Sequence, residues 1–170
     1  MDLSVRDATP ADAAAIVAIL NPIIAARVYT VFDAPFSVES EREYLNRFPA
    51  RGVWKVATRE SDGRLVGFQV MEPWASYTRA FDHVATLGTY VDLECRRQGV
   101  ARRLFEVTLQ AAIAKGYQKI FTFVRADNPA ALKTYLDHGF YIVGTARQHT
   151  FIDGRYIDEI LIEKMLNDRS

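Results

Sequence analysis

Four arginines crowd the stretch Arg96-Arg97-Gln98-Gly99-Val100-Ala101-Arg102-Arg103. Guanidinium groups this close repel one another unless something negative offsets them, and here they stand where a strand-like run gives way to a helix-like one. The first turn of a helix already presents free N–H groups and the positive end of its dipole, so cations are unfavourable there. Gly99, without a Cβ, lets backbone come close to a ligand. A strand, a glycine turn and a helix N-terminus together form a cradle for an anion. The plainer account, a helix end with solvated arginines, stays open. The Gly-Lys-Ser/Thr ending of a nucleotide triphosphate loop and the three glycines of a dinucleotide fingerprint are both missing around Gly99, which leaves a pyrophosphate of another kind.

The elements that must position this cluster follow from patterning. Residues 3–9 alternate as a strand, and Thr9 and Pro10 open a helix that reaches Leu20. The aromatic, proline-interrupted run 21–37 has no clear assignment, and Ser37 starts a second helix to about Phe48. Residues 53–60 and 65–72 form a hairpin around Asp62-Gly63. A long strand, 83–93, precedes the arginines, and Val100, Leu104, Val107 and Ala111 place a helix over 99–115 that Gly116 ends. A strand at 119–124, a short helix at 128–138 closed by Gly139, and a strand pair at 140–150 and 155–165 around Asp153-Gly154 complete the chain. The order β-α-α-β-β-β-α-β-α-β-β predicts an α/β (α+β) fold, a mixed sheet of about six to seven strands flanked by about four helices. At 170 residues the chain is expected to be a single domain, 1–170.

Composition excludes several function classes. Lys plus Arg and Asp plus Glu both number 21, giving zero net charge and a pI near 6.8. A nucleic-acid binder would show a basic excess, so no nucleic-acid partner is expected. Cys95 is the only cysteine, which rules out an intrachain disulfide and a Cys-rich zinc site. It reads as a buried bystander rather than a nucleophile. His83, His138 and His149 lack metal-ligand spacing, so no metal is expected. The opening stretch 1–20 carries acidic residues and no early positive charge. It fits neither a signal peptide nor a membrane span, so a cytoplasmic protein without a membrane partner is expected.

The motif Arg96-x-x-Gly99-x-Ala101 resembles the signature of the GNAT superfamily of N-acetyltransferases, and Asn128, Ala131, Tyr135, Gly139 and Phe140 resemble its downstream segment. The element order is similar to that family's, and the likeness runs over nearly the whole chain. It is nearest to the phosphinothricin acetyltransferase-like branch, through Pro73, Trp74, Ala80, Phe81, Asp82, Asn21 and the closing hairpin. The resemblance implies an acetyl-CoA-dependent N-acetyltransferase of the GNAT fold, acting on the α-amino group of glutamate-like compounds such as phosphinothricin, methionine sulfone or methionine sulfoximine. It also implies a homodimer.

Carried onto this chain, the family pattern assigns the coenzyme to Thr89, Tyr90 and Val91, whose backbone would pair with pantetheine, and to the loop Arg96, Arg97, Gln98, Gly99, Val100, Ala101 and Arg102, whose amides and charges would hold pyrophosphate. Arg103 could add charge. Asn128 would bond the pantetheine arm, or simply cap its helix. Tyr135 would be the general acid for the thiolate, or an ordinary packed aromatic. Branch members carry a glutamate on the central strand as general base, and Thr86 holds that place here. Threonine cannot act so, though it could position a water. Thr86, Glu72 and Asp82 are the candidates for that role. Tyr29 and Phe32, with Trp74 and Tyr77, are the expected substrate contacts; covering the sheet or forming a dimer interface is the alternative for Phe32, Phe36 and Trp74.

Direct attack in a ternary complex is expected, since no activated Cys or Ser is evident. Two alternatives stay open: a protein acetyltransferase acting on N-termini or lysines, and a non-catalytic acyl-CoA sensor. Tyr135 weighs against the sensor, which needs no acid for a leaving group.

Overall fold

A computed structural model describes residues 1–166. Among them, seven strands form one sheet: β1 (Leu3–Asp7), β2 (Val53–Arg59), β3 (Leu65–Pro73), β4 (Val84–Val91), β5 (Lys119–Arg125), β6 (Tyr141–Ile152) and β7 (Arg155–Met165). They lie in the order β1-β2-β3-β4-β5-β7-β6. Every neighbouring pair is antiparallel except β4 with β5. Four helices, α1 (Ala13–Ala25), α2 (Val38–Asn46), α3 (Val100–Ala114) and α4 (Pro129–Asp137), cover this mixed sheet. The result is the α+β arrangement expected from the element order.

Two cores sit on opposite faces of the sheet. Ile16, Ile19, Leu20, Ile23 and Ile24 of α1 pack on Trp54, Val56 and Phe68. On the other face Phe105 of α3 and Tyr135 of α4 join Leu87 and Ile120. The inward residues of α3 are Val100, Leu104, Phe105, Thr108 and Ala112, with Val107 and Ala111 at the edge of the buried stripe. Gly67 of β3 sets how closely α3 approaches, since a Cβ there would meet Val100 Cγ1 at 2.7 Å.

Helix α1 runs past the expected end at Leu20 and through Pro22 to Ala25. A proline inside a helix costs about 3 kcal/mol. Ile23 and Ile24 are both buried, and each contributes about 1.5–3 kcal/mol of burial, so packing outweighs the local break. The N-terminal end is held by Asp12, whose carboxylate accepts from Thr9 N–H at 2.8 Å and from both terminal nitrogens of Arg6 at 2.8 and 2.7 Å.

The parallel pairing of β4 with β5 is confined to Val84↔Lys119 and Ala85↔Ile120, after which the strands part. Thr122 Oγ1 donates to the Leu87 carbonyl at 3.0 Å, and Tyr135 Oη reaches the same oxygen at 3.3 Å. Side chains thus take the place of the lost ladder.

Candidate active site

The gap between β4 and β5 holds two adjoining cavities, of about 370 and 300 Å³. Tyr29, Thr89, Tyr90, Asn128, Ala131 and Tyr135 line both, so these residues form the shared wall. Strand alternation fixes which backbone groups face the gap. The carbonyls of His83 and Leu87 turn toward β5, while those of Val84 and the N–H of Asp92 pair toward β3. By the same alternation Thr89 and Val91 present N–H and C=O to the gap. Tyr90 bonds toward β3 through its backbone and lends the cavities its side chain.

The smaller cavity is closed by the start of α3. Gly99 caps that helix in the left-handed region, at φ 86°, and Arg97 is also left-handed at φ 61°. A Cβ on Gly99 would meet nothing within 4 Å, so glycine is required there by conformation and not by crowding. The first N–H groups of α3 have no partner within the helix. Arg96, Arg97, Gly99, Val100, Ala101 and Arg102 line this cavity beside them. Cys95 lines it too, as a buried free thiol.

The four arginines divide. Arg96 lies over the Tyr29 ring, its guanidinium carbon 3.8 Å from the centroid. Arg97 is exposed at the mouth. Arg102 and Arg103 both pair with Glu106, at 3.4 and 3.1 Å, and Arg103 does not line the cavity. Gln98 also turns away, its Nε2 donating to the Glu94 carbonyl at 3.1 Å.

A hydrogen-bonded chain crosses the shared wall. Gln69 Nε2 donates to Thr89 Oγ1 at 2.9 Å, and Thr89 Oγ1 lies 3.0 Å from Tyr135 Oη. Tyr135 is 6% exposed. Burial pushes its hydroxyl up to about 12, against the lowering influence of Thr89, so it stays protonated through the neutral range. Asn128 caps α4 by accepting from Ala131 N–H at 3.2 Å, which leaves its amide nitrogen on the wall of both cavities.

The larger cavity is made of side chains from many elements. Glu72 and Thr86 are cross-strand partners on β3 and β4, and both line it. Phe32 and Phe36 come from the proline-interrupted segment, which two clamps hold in position. Asn21 of α1 exchanges two 3.0 Å hydrogen bonds with the Phe36 backbone. Arg125 Nη1 donates to the Thr30 carbonyl at 2.8 Å. Phe32 then meets Phe36 edge-on at 5.1 Å and stacks toward Tyr90 at 6.4 Å.

Three expected residues lie elsewhere. Trp74 packs edge-on against Phe121 at 4.8 Å and lines neither cavity. Tyr77 is 83% exposed and also lines neither. Asp82 pairs with Arg79 at 3.2 Å and Arg51 at 3.5 Å, away from both. Conversely, Glu41, Tyr44, Trp54 and Arg125 line the larger cavity without having been singled out. A signal existed for Glu41: Val38, Leu45 and Phe48 mark the inward stripe of α2, and Glu41 falls on it. Among the described residues no cluster of three or more His, Cys, Asp or Glu could hold a metal, and no helix is long and apolar enough to cross a membrane.

Residues 24–140 match the acetyltransferase (GNAT) family profile. A Bacillus subtilis protein provisionally named a phosphinothricin acetyltransferase is 28% identical, over 97% of this chain and 100% of its own length. The L-methionine sulfoximine/L-methionine sulfone acetyltransferase of Pseudomonas aeruginosa is 22% identical, over 93% of this chain and 91% of its own. The solved structure of a Sinorhizobium meliloti phosphinothricin acetyltransferase in complex with acetyl-CoA superposes with a TM-score of 0.89 at 20% identity, covering 99% of this chain and 90% of that one. The chain belongs to the GNAT acetyltransferase family and is an N-acetyltransferase.

Proposed function

We propose, from that membership, that the chain transfers the acetyl group of acetyl-CoA to the primary amine of a small, amino-acid-like molecule by direct attack in a ternary complex. The observation that carries this reading is the pair of cavities meeting at Tyr135 and Thr89 in the parted sheet. One cavity has backbone and cations suited to a pantetheine pyrophosphate; the other has carboxylates suited to an amine. Relatives with related named activities cover nearly the whole chain.

In this mechanism acetyl-CoA, as co-substrate, supplies the thioester. The free amides at the start of α3, with Arg96 and Arg97, hold its pyrophosphate, and Arg102 adds charge beside Glu106. The gap-facing groups of Thr89 and Val91 pair with the pantetheine arm, and one of their N–H groups polarises the acetyl carbonyl. Asn128 donates its amide N–H to the same arm. Val100 and Ala101 contribute backbone only, as does Gly99.

Glu72 takes a proton from the acceptor ammonium, directly or through a water held by Thr86. Its place across the β3–β4 ladder from Thr86 supports this: the carboxylate absent from β4 is available from the next strand. The neutral amine attacks the thioester carbon, a C–N bond forms, and the C–S bond breaks as the tetrahedral intermediate collapses. Tyr135 gives its proton to the departing thiolate, and Thr89 Oγ1 hydrogen-bonds the phenolate that remains. Tyr29, Phe32 and Phe36 enclose the acceptor.

The wider reading is of one catalytic domain, acting in the cytoplasm as a homodimer. The lone free cysteine suits a reducing compartment. The exposed Tyr141, Ile142 and Val143 on β6, at the edge of the sheet, suit a subunit contact. Tyr77 and Trp74, both exposed, belong on this reading to the outer surface.

Coenzyme A release from acetyl-CoA is the test, run with small amino-acid-like amines, polyamines and a short peptide. Turnover with a small amine is expected. Turnover with the peptide alone would favour a protein acetyltransferase, and coenzyme binding without release for any amine would favour the sensor.

A further inference from the structure

The larger cavity contains two carboxylates and, among the described residues, one cation, whose charge is already committed. Resting on the reading of this cavity as the amine site, the balance of charge narrows the acceptor. Glu41 is 3% exposed and lines the cavity. Burial alone acts on its carboxyl and pushes its pKa up; no hydrogen bond or neighbouring cation offsets it. Glu72 lines the same space, and both carboxylates bear on the hydroxyls of Tyr44 and Tyr90.

Arg125 is the cation on this wall. It is 3% exposed, and it grips Asp127 through Nε and Nη2 at 2.8 Å each while Nη1 holds the Thr30 carbonyl. Its charge is neutralised and its position is that of a clamp. Arg96 lines the other cavity and lies on the Tyr29 ring. Much of the remaining wall is aromatic, including Phe32, Phe36, Trp54 and Phe68. Trp54 keeps its Nε1 buried without a partner, a donor suited to a neutral oxygen.

A free amino acid brings a carboxylate next to its ammonium. The ammonium meets Glu41, whose burial no hydrogen bond offsets, and Glu72, which lines the same cavity. The carboxylate would enter a low-dielectric space that already holds two like charges and offers no free cation. Aromatic walls favour a cation further. We propose that this site selects cationic amines whose neighbouring carboxylate is masked or absent, such as amino-acid amides, esters and arylalkylamines, over the matching free amino acids, with Glu41 as the specificity-determining residue.

The test compares matched sets by coenzyme A release: phenylalanine, phenylalaninamide and phenethylamine, and methionine sulfone with its amide. The masked and carboxylate-free members are expected to exceed the free acids in kcat/KM by about tenfold or more. In Glu41→Gln the ratio is expected to fall toward one, with KM for acetyl-CoA unchanged. Free acids equal to or better than their partners would overturn the inference, as would a ratio that Glu41→Gln leaves unaltered. The wild-type comparison stands by itself if that variant does not fold. Should no amine release coenzyme A, the acetyl-transfer reading fails separately. Calorimetric binding of the same sets to the coenzyme A-loaded protein then decides selectivity: tighter binding of the amides upholds it, and equal, reversed or undetectable binding overturns it.

Discussion

The cavity at the head of α3 takes most of its wall from one run of chain, residues 89–102, whereas its neighbour draws Glu41 from α2, Trp54 from β2, Glu72 from β3, Thr86 from β4 and Arg125 from β5. The first offers backbone amides and a left-handed glycine, which serve one ligand chemistry whatever the flanking side chains. The second offers side chains that five separate elements bring together. On the proposed assignment, coenzyme binding belongs to local chain geometry, and acceptor choice to residues distant in sequence.

The sharpest way to separate the two is at the acceptor end. Glu72→Gln is expected to lower kcat/KM for the amine by about 10²–10⁴ at neutral pH, the usual range for general-base help. The Kd for acetyl-CoA should not move. Steady-state kinetics beside a binding titration reads both, and an unchanged kcat/KM would remove Glu72 from the mechanism.

Tyr135 stands on the shared wall, so its removal should touch the chemistry rather than either ligand alone. Tyr135→Phe is expected to reduce kcat by about tenfold to a hundredfold, with KM for both substrates altered far less. A pH profile sharpens the point. Burial holds the hydroxyl up near 12, so the acid form persists above the ordinary tyrosine value of about 10. The kcat of the wild type should then show no Tyr135-dependent decline centred near pH 10; a decline there that vanishes in the phenylalanine variant would contradict the assignment.

At the coenzyme end, Gly99→Val places a β-branched residue at φ 86°, a strain of about 1–3 kcal/mol. Acetyl-CoA affinity is expected to fall by about tenfold, while kcat at saturating coenzyme stays close to wild type. A large loss of kcat would show that the two ends are not separable in this way.

The smallest effect belongs outside both cavities. Glu159 on β7 is fully buried, accepts from Thr150 Oγ1 at 2.6 Å and leaves Oε2 unpartnered. Burial raises its carboxyl in the folded state, so the folded chain binds more protons than the unfolded one. Stability from this group is greatest at low pH and declines as pH rises through the raised value. Glu159→Gln is expected to raise Tm at neutral pH by about 2 °C and to leave both kinetic ends alone. Thermal melts at several pH values read the sign.

Much of the molecule was legible from residue order. The Asp62-Gly63 hairpin, the α3 helix from Gly99 to its end at Gly116 and the closing strand pair each carry local signals, and local signals survive folding. Pro22 did not stop α1, because burial of Ile23 and Ile24 outweighs a single broken turn. The run 21–37 carried no periodicity, because long-range clamps from Asn21 and Arg125 hold it. Trp74 stands apart from both cavities on Phe121, a position that aromatic content could not reveal.

What the sequence by itself determined is the family, the element order and the glycine turn that opens α3 at Gly99, since each depends on residues a few positions apart. Only the tertiary structure decided that β4 and β5 part after two pairs. It alone set Glu72 beside Thr86 and brought it to the same cavity as Glu41. The physical reason is range: backbone conformation and caps are set by neighbours in the chain, whereas a cavity's charge is the sum of side chains that meet only when the sheet forms.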